Sequence, residues 1–197
     1  MDDPRQQIIE TCRVLFARNL SDTVGGNLSV RAGDLVYMTP RYLGSRFHWN
    51  IRPDQVLVVD PSRRVVEGEG ELSRESALHF GIYDAFPQAG AIVHAHPHYC
   101  LVYASAGKAI PPFTEATEVF GEIPLATAAP AETPELAANA IAVLREKAQE
   151  LERHPLAVLL PRHGIVVVGR TLEATFDALD RIETSARCHL LSRLFQL

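Results

Sequence analysis

At 197 residues and 47% hydrophobic, the chain has the size of one globular domain, 1–197, with a sizeable core. A net charge of -5 with no Lys/Arg-rich block argues against nucleic acid or an anionic membrane as partner, and no apolar run reaches the roughly 18 to 20 residues that span a bilayer. Met1-Asp2-Asp3-Pro4-Arg5 lacks the basic start and apolar core of a signal peptide, so a cytoplasmic protein is expected, with Cys12, Cys100 and Cys188 as reduced packing thiols rather than metal ligands.

Ile8, Ile9, Cys12, Leu15 and Phe16 recur at helical spacing, which predicts a first helix over 4–20 that runs into a turn at Thr23-Val24-Gly25-Gly26. Short β-rich runs follow at 27–31, 35–39 and 56–60, separated by Ala32-Gly33-Asp34, by the irregular segment 40–53 and by Pro61-Ser62, and they read as adjacent strands. Ser73 is placed to cap a helix over 74–86, stopped by Pro87, and 91–96 reads as a buried strand leading into a helix that starts at Pro97. A strand is expected near 123–126. Thr133 and Pro134 open a helix whose apolar stripe is Ala137, Ile141, Leu144, Ala148 and Leu151, ending before Pro155. The apolar segment 156–168 is broken at Pro161-Arg162-His163-Gly164, which predicts two strands and a bend. A last helix buries Leu172, Phe176, Leu179, Ile182, Ala186 and Leu190. The sum is an α/β domain of three layers, its sheet mostly antiparallel because the connections are short.

The chemistry begins with His94-Ala95-His96 at the end of the apolar run Ala91-Ile92-Val93. Side chains two apart on a strand share a face, so both imidazoles can converge on one ion, and zinc takes neutral imidazole readily. Pro97 turns the chain before His98, which is left out of the ligand set. Metallo-β-lactamase-like sites want an Asp after such a pair, where this chain has Pro97-His98-Tyr99, and a cupin barrel would lack the strong helices. His163 is open to two readings, a turn histidine before Gly164 or a third ligand that leaves one position free for substrate. Glu75 reads either as a first-turn carboxylate favoured by the helix dipole or as a functional acid; it stands two after Ser73, not three as in a capping box. Gly25-Gly26-Asn27-Leu28-Ser29 is a turn that can also cradle an anion on free backbone N–H groups. A Schiff-base lysine needs a desolvated setting or a cationic neighbour, and neither of the only lysines, Lys108 in Ala106-Gly107-Lys108 and Lys147 in a polar stretch of a helix, is placed for it, so carbonyl chemistry through a Schiff base is disfavoured.

Taken in order, Gly25-Gly26-Asn27-Leu28-Ser29, Thr39-Pro40, Ser73-Arg74-Glu75 with His79, His94-Ala95-His96-Pro97 and Arg162-His163-Gly164 resemble the class II aldolase/adducin family, in its fuculose-phosphate aldolase-like branch. The resemblance spans nearly the whole chain. It implies a nine-stranded-type α/β/α fold, a homotetramer with active sites at subunit interfaces, and one Zn2+ per subunit on His94, His96 and His163, with Mn2+ or Co2+ as alternatives that imidazole also accepts. It implies Glu75 as catalytic acid/base, and Asn27 and Ser73 as holders of a substrate phosphate, beside Gly26 and Thr39. The reaction implied is cleavage of a small phosphorylated or otherwise anionic hydroxy-ketone through a metal-stabilised enediolate, with epimerisation, dehydration or decarboxylation as alternatives on the same platform and a non-catalytic adducin-like module as a further one.

Two departures from the family pattern stand out. Its Thr-Pro-Ser-Gly is here Thr39-Pro40-Arg41-Tyr42, and the second serine of its Ser-Ser-Glu is Arg74. Arginine binds carboxylate or phosphate bidentately, so Arg41 and Arg74 are expected to contact an anionic substrate. The family's tyrosine that protonates the leaving fragment has no clear counterpart. Glu115 and Glu118 lie in the right region; Glu115 is taken as the candidate and Glu118 as a surface acid.

Overall fold

The computed structural model describes residues 3–196. Its helices are α1 (Pro4–Ala17), α2 (Ser76–Ala85), α3 (His98–Ala106), α4 (Glu115–Glu118), α5 (Pro134–Arg145) and α6 (Leu172–Ser192). Its strands are β1 (Asn27–Ala32), β2 (Leu35–Met38), β3 (Leu57–Val59), β4 (Val65–Glu67), β5 (Ala91–Ala95), β6 (Leu156–Leu160) and β7 (Gly164–Gly169). One sheet of seven strands runs β4-β3-β2-β1-β5-β7-β6, antiparallel throughout. Among the described residues no helix is long and apolar enough to cross a membrane.

The central strands are apolar on both faces because helices cover both. Val93, Ala95, Ile165 and Val167 pack with Ile8 and Leu15 of α1, Tyr103 of α3 and Leu179 of α6. The alternating Ile92, Val166 and Val168 pack on the other face with Leu78 and Ile82 of α2 and Ala140 and Leu144 of α5. This is the expected three-layer α/β/α arrangement. Glu183, buried in α6, accepts from the backbone N–H of Tyr99 and Cys100 at 2.9 and 2.8 Å, so it satisfies the open amides at the start of α3.

Several boundaries differ from the sequence expectation. The first helix stops at Ala17, and its exit is carried by Asn19 in the left-handed region (φ 58°) rather than by a glycine. Helix α2 begins at Ser76 rather than Arg74, and α5 ends at Arg145, followed by a 3-10 turn over Ala148–Glu152. The stretch near 123–126 forms no strand: Ile123 and Leu125 make one bridge each, to Ile110 and Leu159. Pro124 has no N–H to give a ladder, although its carbonyl accepts from Leu159 N at 2.8 Å. Strand β4 was not foreseen, and the implied nine strands are seven among the described residues.

Candidate metal centre

Strand register assembles the site. In the β1/β5 pairing Asn27 faces His94 and Ser29 faces Ile92, so Asn27, Ser29 and His94 share the sheet face that α2 covers. His96 lies two residues further, just past the end of β5. The β5/β7 pairing sets Ala95 against Ile165, which carries the preceding β6–β7 turn, with Arg162 and His163, to the same end of the sheet. Gly164 has a physical reason there: a Cβ on it would lie 2.4 Å from Ala95 O and 2.7 Å from the His96 ring. The close approach that seats His163 beside His96 therefore requires glycine.

One ring nitrogen from each of His94, His96 and His163 lies within 4.8 Å of those of the other two. His94 is fully buried, and His94 Nδ1 donates to Ile165 O at 3.1 Å. His96 Nδ1 donates to Asp22 Oδ1 at 3.2 Å. Both rings therefore turn Nε2 inward, and the two Nε2 atoms are 3.2 Å apart. Glu75 Oε2 stands 3.0 Å from His94 Nε2, and its Oε1 stands 3.2 Å from His163 Nε2. Lone pairs and a carboxylate facing one another across this spacing call for positive charge between them, and the three histidines are a set that could hold a metal ion. Zinc at about 2.0–2.1 Å from imidazole nitrogens separates two ligands by about 3.3–3.4 Å along a tetrahedral edge, so the 3.2 Å between the His94 and His96 nitrogens fits such an ion. Asp22 and the Ile165 carbonyl hold two of the rings in the required tautomer. His163 Nδ1 has no partner among the described residues, so its ring is the least constrained of the three.

Without an ion the same demand falls on protons. Burial works to raise the Glu75 carboxyl, but the charge and hydrogen bond of His94, the charge on His163 and the hydrogen bond from Asn27 hold it well below the usual carboxylate range. Burial opposes charge on His94, and Glu75 beside it prevails and moves it up. Burial and the charge on His94 push His163 down to about 4 and also lower His96. His94 and Glu75 thus favour opposite charges in each other, the imidazole toward its protonated form and the carboxyl toward its ionised one.

An open cavity of about 420 Å³ lies against this cluster, its wall including Asn27, Arg41, Ser73, Arg74, Glu132 and Arg162. Arg41 stacks on the Tyr42 ring and pairs with Glu71 at 2.9 Å, and Arg74 pairs with Glu132 at 2.9 Å. Both amide donors of Asn27 are engaged, to Glu75 Oε2 at 2.9 Å and to Ser73 Oγ at 3.2 Å. Gly26 also lines the cavity; with φ 114°, a Cβ on it would stand 2.8 Å from the Trp49 ring. The Trp49 indole N–H donates to Asp22 O at 2.7 Å and so braces the loop that carries Asp22.

Not every expected site residue reaches the cavity. Thr39 is fully buried, accepts from Leu28 N at 3.1 Å, and is not part of the cavity wall. Glu115 is exposed on α4 and also lies outside that wall; α4 is anchored instead by Thr117, whose hydroxyl meets Ser185 Oγ at 3.0 Å. Sequence reasoning missed Asp22 and Glu132. Asp22 had a local signal, since its carboxylate accepts from Val24 N and Gly25 N in a turn, but its contact with His96 spans 74 residues.

The model of the family described as Class II Aldolase and Adducin N-terminal domain matches residues 6–190. The chain belongs to this family. A 5-methylthioribulose-1-phosphate/5-deoxyribulose-1-phosphate aldolase of Rhodospirillum rubrum is 31% identical over 184 residues, 92% of this chain and 78% of the relative. An L-fuculose phosphate aldolase of Methanococcus maripaludis is 26% identical, covering 94% of this chain and 95% of its own. Among solved structures, an L-fuculose 1-phosphate aldolase superposes with a TM-score of 0.84 at 30% identity, covering 99% of this chain and 88% of that one. These relatives are aldolases by name, and the chain shares their fold as a class II aldolase-type enzyme.

Proposed function

We propose that the protein is a metal-dependent aldolase, with zinc held by His94, His96 and His163, that cleaves a small phosphorylated or otherwise anionic hydroxy-ketone of the kind named for its relatives. The observation that carries this reading is the Glu75 carboxylate, placed between His94 and His163 at 3.0 and 3.2 Å on the wall of the cavity. When bound, the ion supplies Lewis-acid polarisation of the substrate carbonyl. The remaining work belongs to the chain. Glu75 moves a proton: as the carbon-carbon bond breaks, its electron pair stays with the carbonyl-bearing fragment, whose carbon takes the proton from the Glu75 carboxyl. That proton is the one the hydroxyl of the other fragment gives to the Glu75 carboxylate as it becomes the aldehyde carbonyl, so a single proton passes through Glu75 from oxygen to carbon. Ser73, Arg41 and Arg74 hold the anionic end, with the arginines exchanging Glu71 and Glu132 for substrate oxygens.

The test is purified protein against a panel of ketose 1-phosphates that includes L-fuculose 1-phosphate and 5-methylthioribulose 1-phosphate, with and without chelator, read by release of dihydroxyacetone phosphate. Chelator-sensitive release is expected. Metal-loaded protein that releases none from any member overturns the aldolase reading.

A further inference from the structure

Helix α2 and strand β1 share a line of polar side chains that starts at Glu75 and runs away from the metal centre through His79, Ser29 and Tyr83, which the proposed chemistry does not use. Glu75, His79 and Tyr83 lie at i, i+4 and i+8 and so form one stripe of the helix, while Asn27 and Ser29 lie two apart on one face of the strand. Four helical residues rise about 6 Å and two strand residues about 6.6 Å, so the two rows stay in step and interleave. Asn27 meets both Glu75 and His79; Ser29 meets both His79 and Tyr83. His79 and Ser29 are fully buried, Asn27 nearly so.

The direction of each proton follows from the one before it. The Glu75 carboxylate can only accept, so Asn27 turns its Nδ2 amide toward it, at 2.9 Å. Asn27 Oδ1 is then an acceptor, and His79 must carry its proton on Nε2 to donate to it, at 2.5 Å. His79 Nδ1 is left as a lone pair and accepts from Ser29 Oγ at 2.6 Å. Ser29 has spent its one proton and so accepts from the Tyr83 hydroxyl at 2.9 Å. Burial, the charge of His94 and a weaker opposing pull from Glu75 leave His79 at about 3, so the ring is neutral and its single proton has one place to be.

We propose that this ladder, Tyr83 to Ser29 to His79 to Asn27 to Glu75, is a one-way file of donors that fixes the orientation of the Glu75 carboxylate, with His79 as its positioning residue. Flipping the Asn27 amide would set its oxygen against the carboxylate and its NH2 against the His79 N–H. A neutral imidazole in the dry core makes that flip costly, and aligned hydrogen bonds polarise one another toward Glu75. The Asn27 amide does not pass protons along the file. The ladder aims the base, and a substitution in it is felt in turnover more than in binding.

This inference rests on Glu75 being the group that moves the proton, and the experiment separates the two. In the protein as isolated, side-chain 15N NMR of histidine reads the tautomer of His79 directly, without substrate. The Nε2–H form is expected, unchanged from pH 8 to pH 5, and an Nδ1–H or charged ring overturns the ladder. In parallel, His79→Leu removes the donor, while His79→Gln can place its own amide NH2 where imidazole Nε2 stood. Both should keep a full complement of metal, since His79 touches no ligand of the centre. On whichever ketose phosphate the wild type cleaves, His79→Leu is expected to lower kcat about 10- to 100-fold with KM within about threefold, and His79→Gln to recover most of the loss. Equal impairment of the two variants, or a loss confined to KM, overturns the positioning role. If the wild type cleaves none of the panel, the aldolase reading falls while the tautomer still decides the ladder.

Discussion

The floor and the rim of the site are built on opposite principles. On the floor, His94, Asn27, His79 and Glu75 are at most 8% exposed, and each has a partner that strand register or helix pitch supplies. At the rim, the Arg41 and Arg74 side chains are 30% and 60% exposed and rest on the acidic side chains of Glu71 and Glu132. A charge or polar atom buried without a partner costs several kcal/mol, so the floor has one arrangement. An exposed ion pair contributes about 0–1 kcal/mol, so the rim can trade a carboxylate for an anionic ligand at little cost. The chemistry is therefore held rigid while recognition is left adjustable, and the two departures from the family pattern, Arg41 and Arg74, both fall on the adjustable side.

On that division, the most damaging single change is on the floor. Glu75→Gln keeps the shape, the contact with His94 and the metal, yet removes the group that moves the proton. A fall in kcat of about 10²- to 10⁴-fold is expected, as for loss of a general acid-base. Metal content measured on the same sample must be unchanged, and a variant that keeps more than about a tenth of the activity would remove Glu75 from that role. The next effect lies one bond further out. Asp22→Asn leaves a hydrogen-bonding group opposite His96 Nδ1 but no charge, and its expected cost is about 10- to 100-fold in metal affinity, read by competition with a chromogenic chelator. An unchanged affinity would mean that the loop braced by Trp49, rather than the Asp22 carboxylate, fixes the His96 ring.

How much of this was legible beforehand follows the same divide. The His94/His96 pair could be read from a two-residue period in a buried strand, and the three layers from apolar runs and helical stripes. His163 was open to two readings from its own segment and was named a ligand through the family resemblance, because the β5/β7 register that carries it there, like the contact of Asp22 with a strand end far away in sequence, is not a local property. Strand β4 escaped notice because Val65, Val66 and Glu67 are all exposed and carry no alternation toward a core. The expected strand near 123–126 failed for the converse reason: apolar residues flank Pro124, but a proline cannot complete the ladder. The ladder from Glu75 to Tyr83 was present as Asn27-x-Ser29 and a four-residue helical period, yet polar residues at such spacings normally mark a solvated face. Only the packing of α2 on β1 makes it a buried file.

The smallest predicted effects separate the two rim arginines from each other. Arg41 is the more enclosed: it stacks on Tyr42, its Nε is buried without a partner among the described residues, and only its Nη1 is spent on Glu71. Arg74 reaches Glu132 from a largely solvated position. Charge-assisted hydrogen bonds contribute about 1.5–3 kcal/mol where solvent is kept away, so Arg41→Ala should raise KM for an anionic ketose about tenfold or more with kcat nearly unchanged. Arg74→Ala should raise it by no more than about fivefold, in keeping with an exposed pair. Salt sharpens the contrast, because the contribution of Arg74 should fade as ionic strength rises past about 0.15 M, where screening reaches about 8 Å, while that of the enclosed Arg41 persists. KM series for both variants at low and high salt measure this directly. Equal effects with equal salt dependence would mean that the two guanidinium groups meet the anion in the same solvated setting, and that the boundary between floor and rim lies deeper than Arg41.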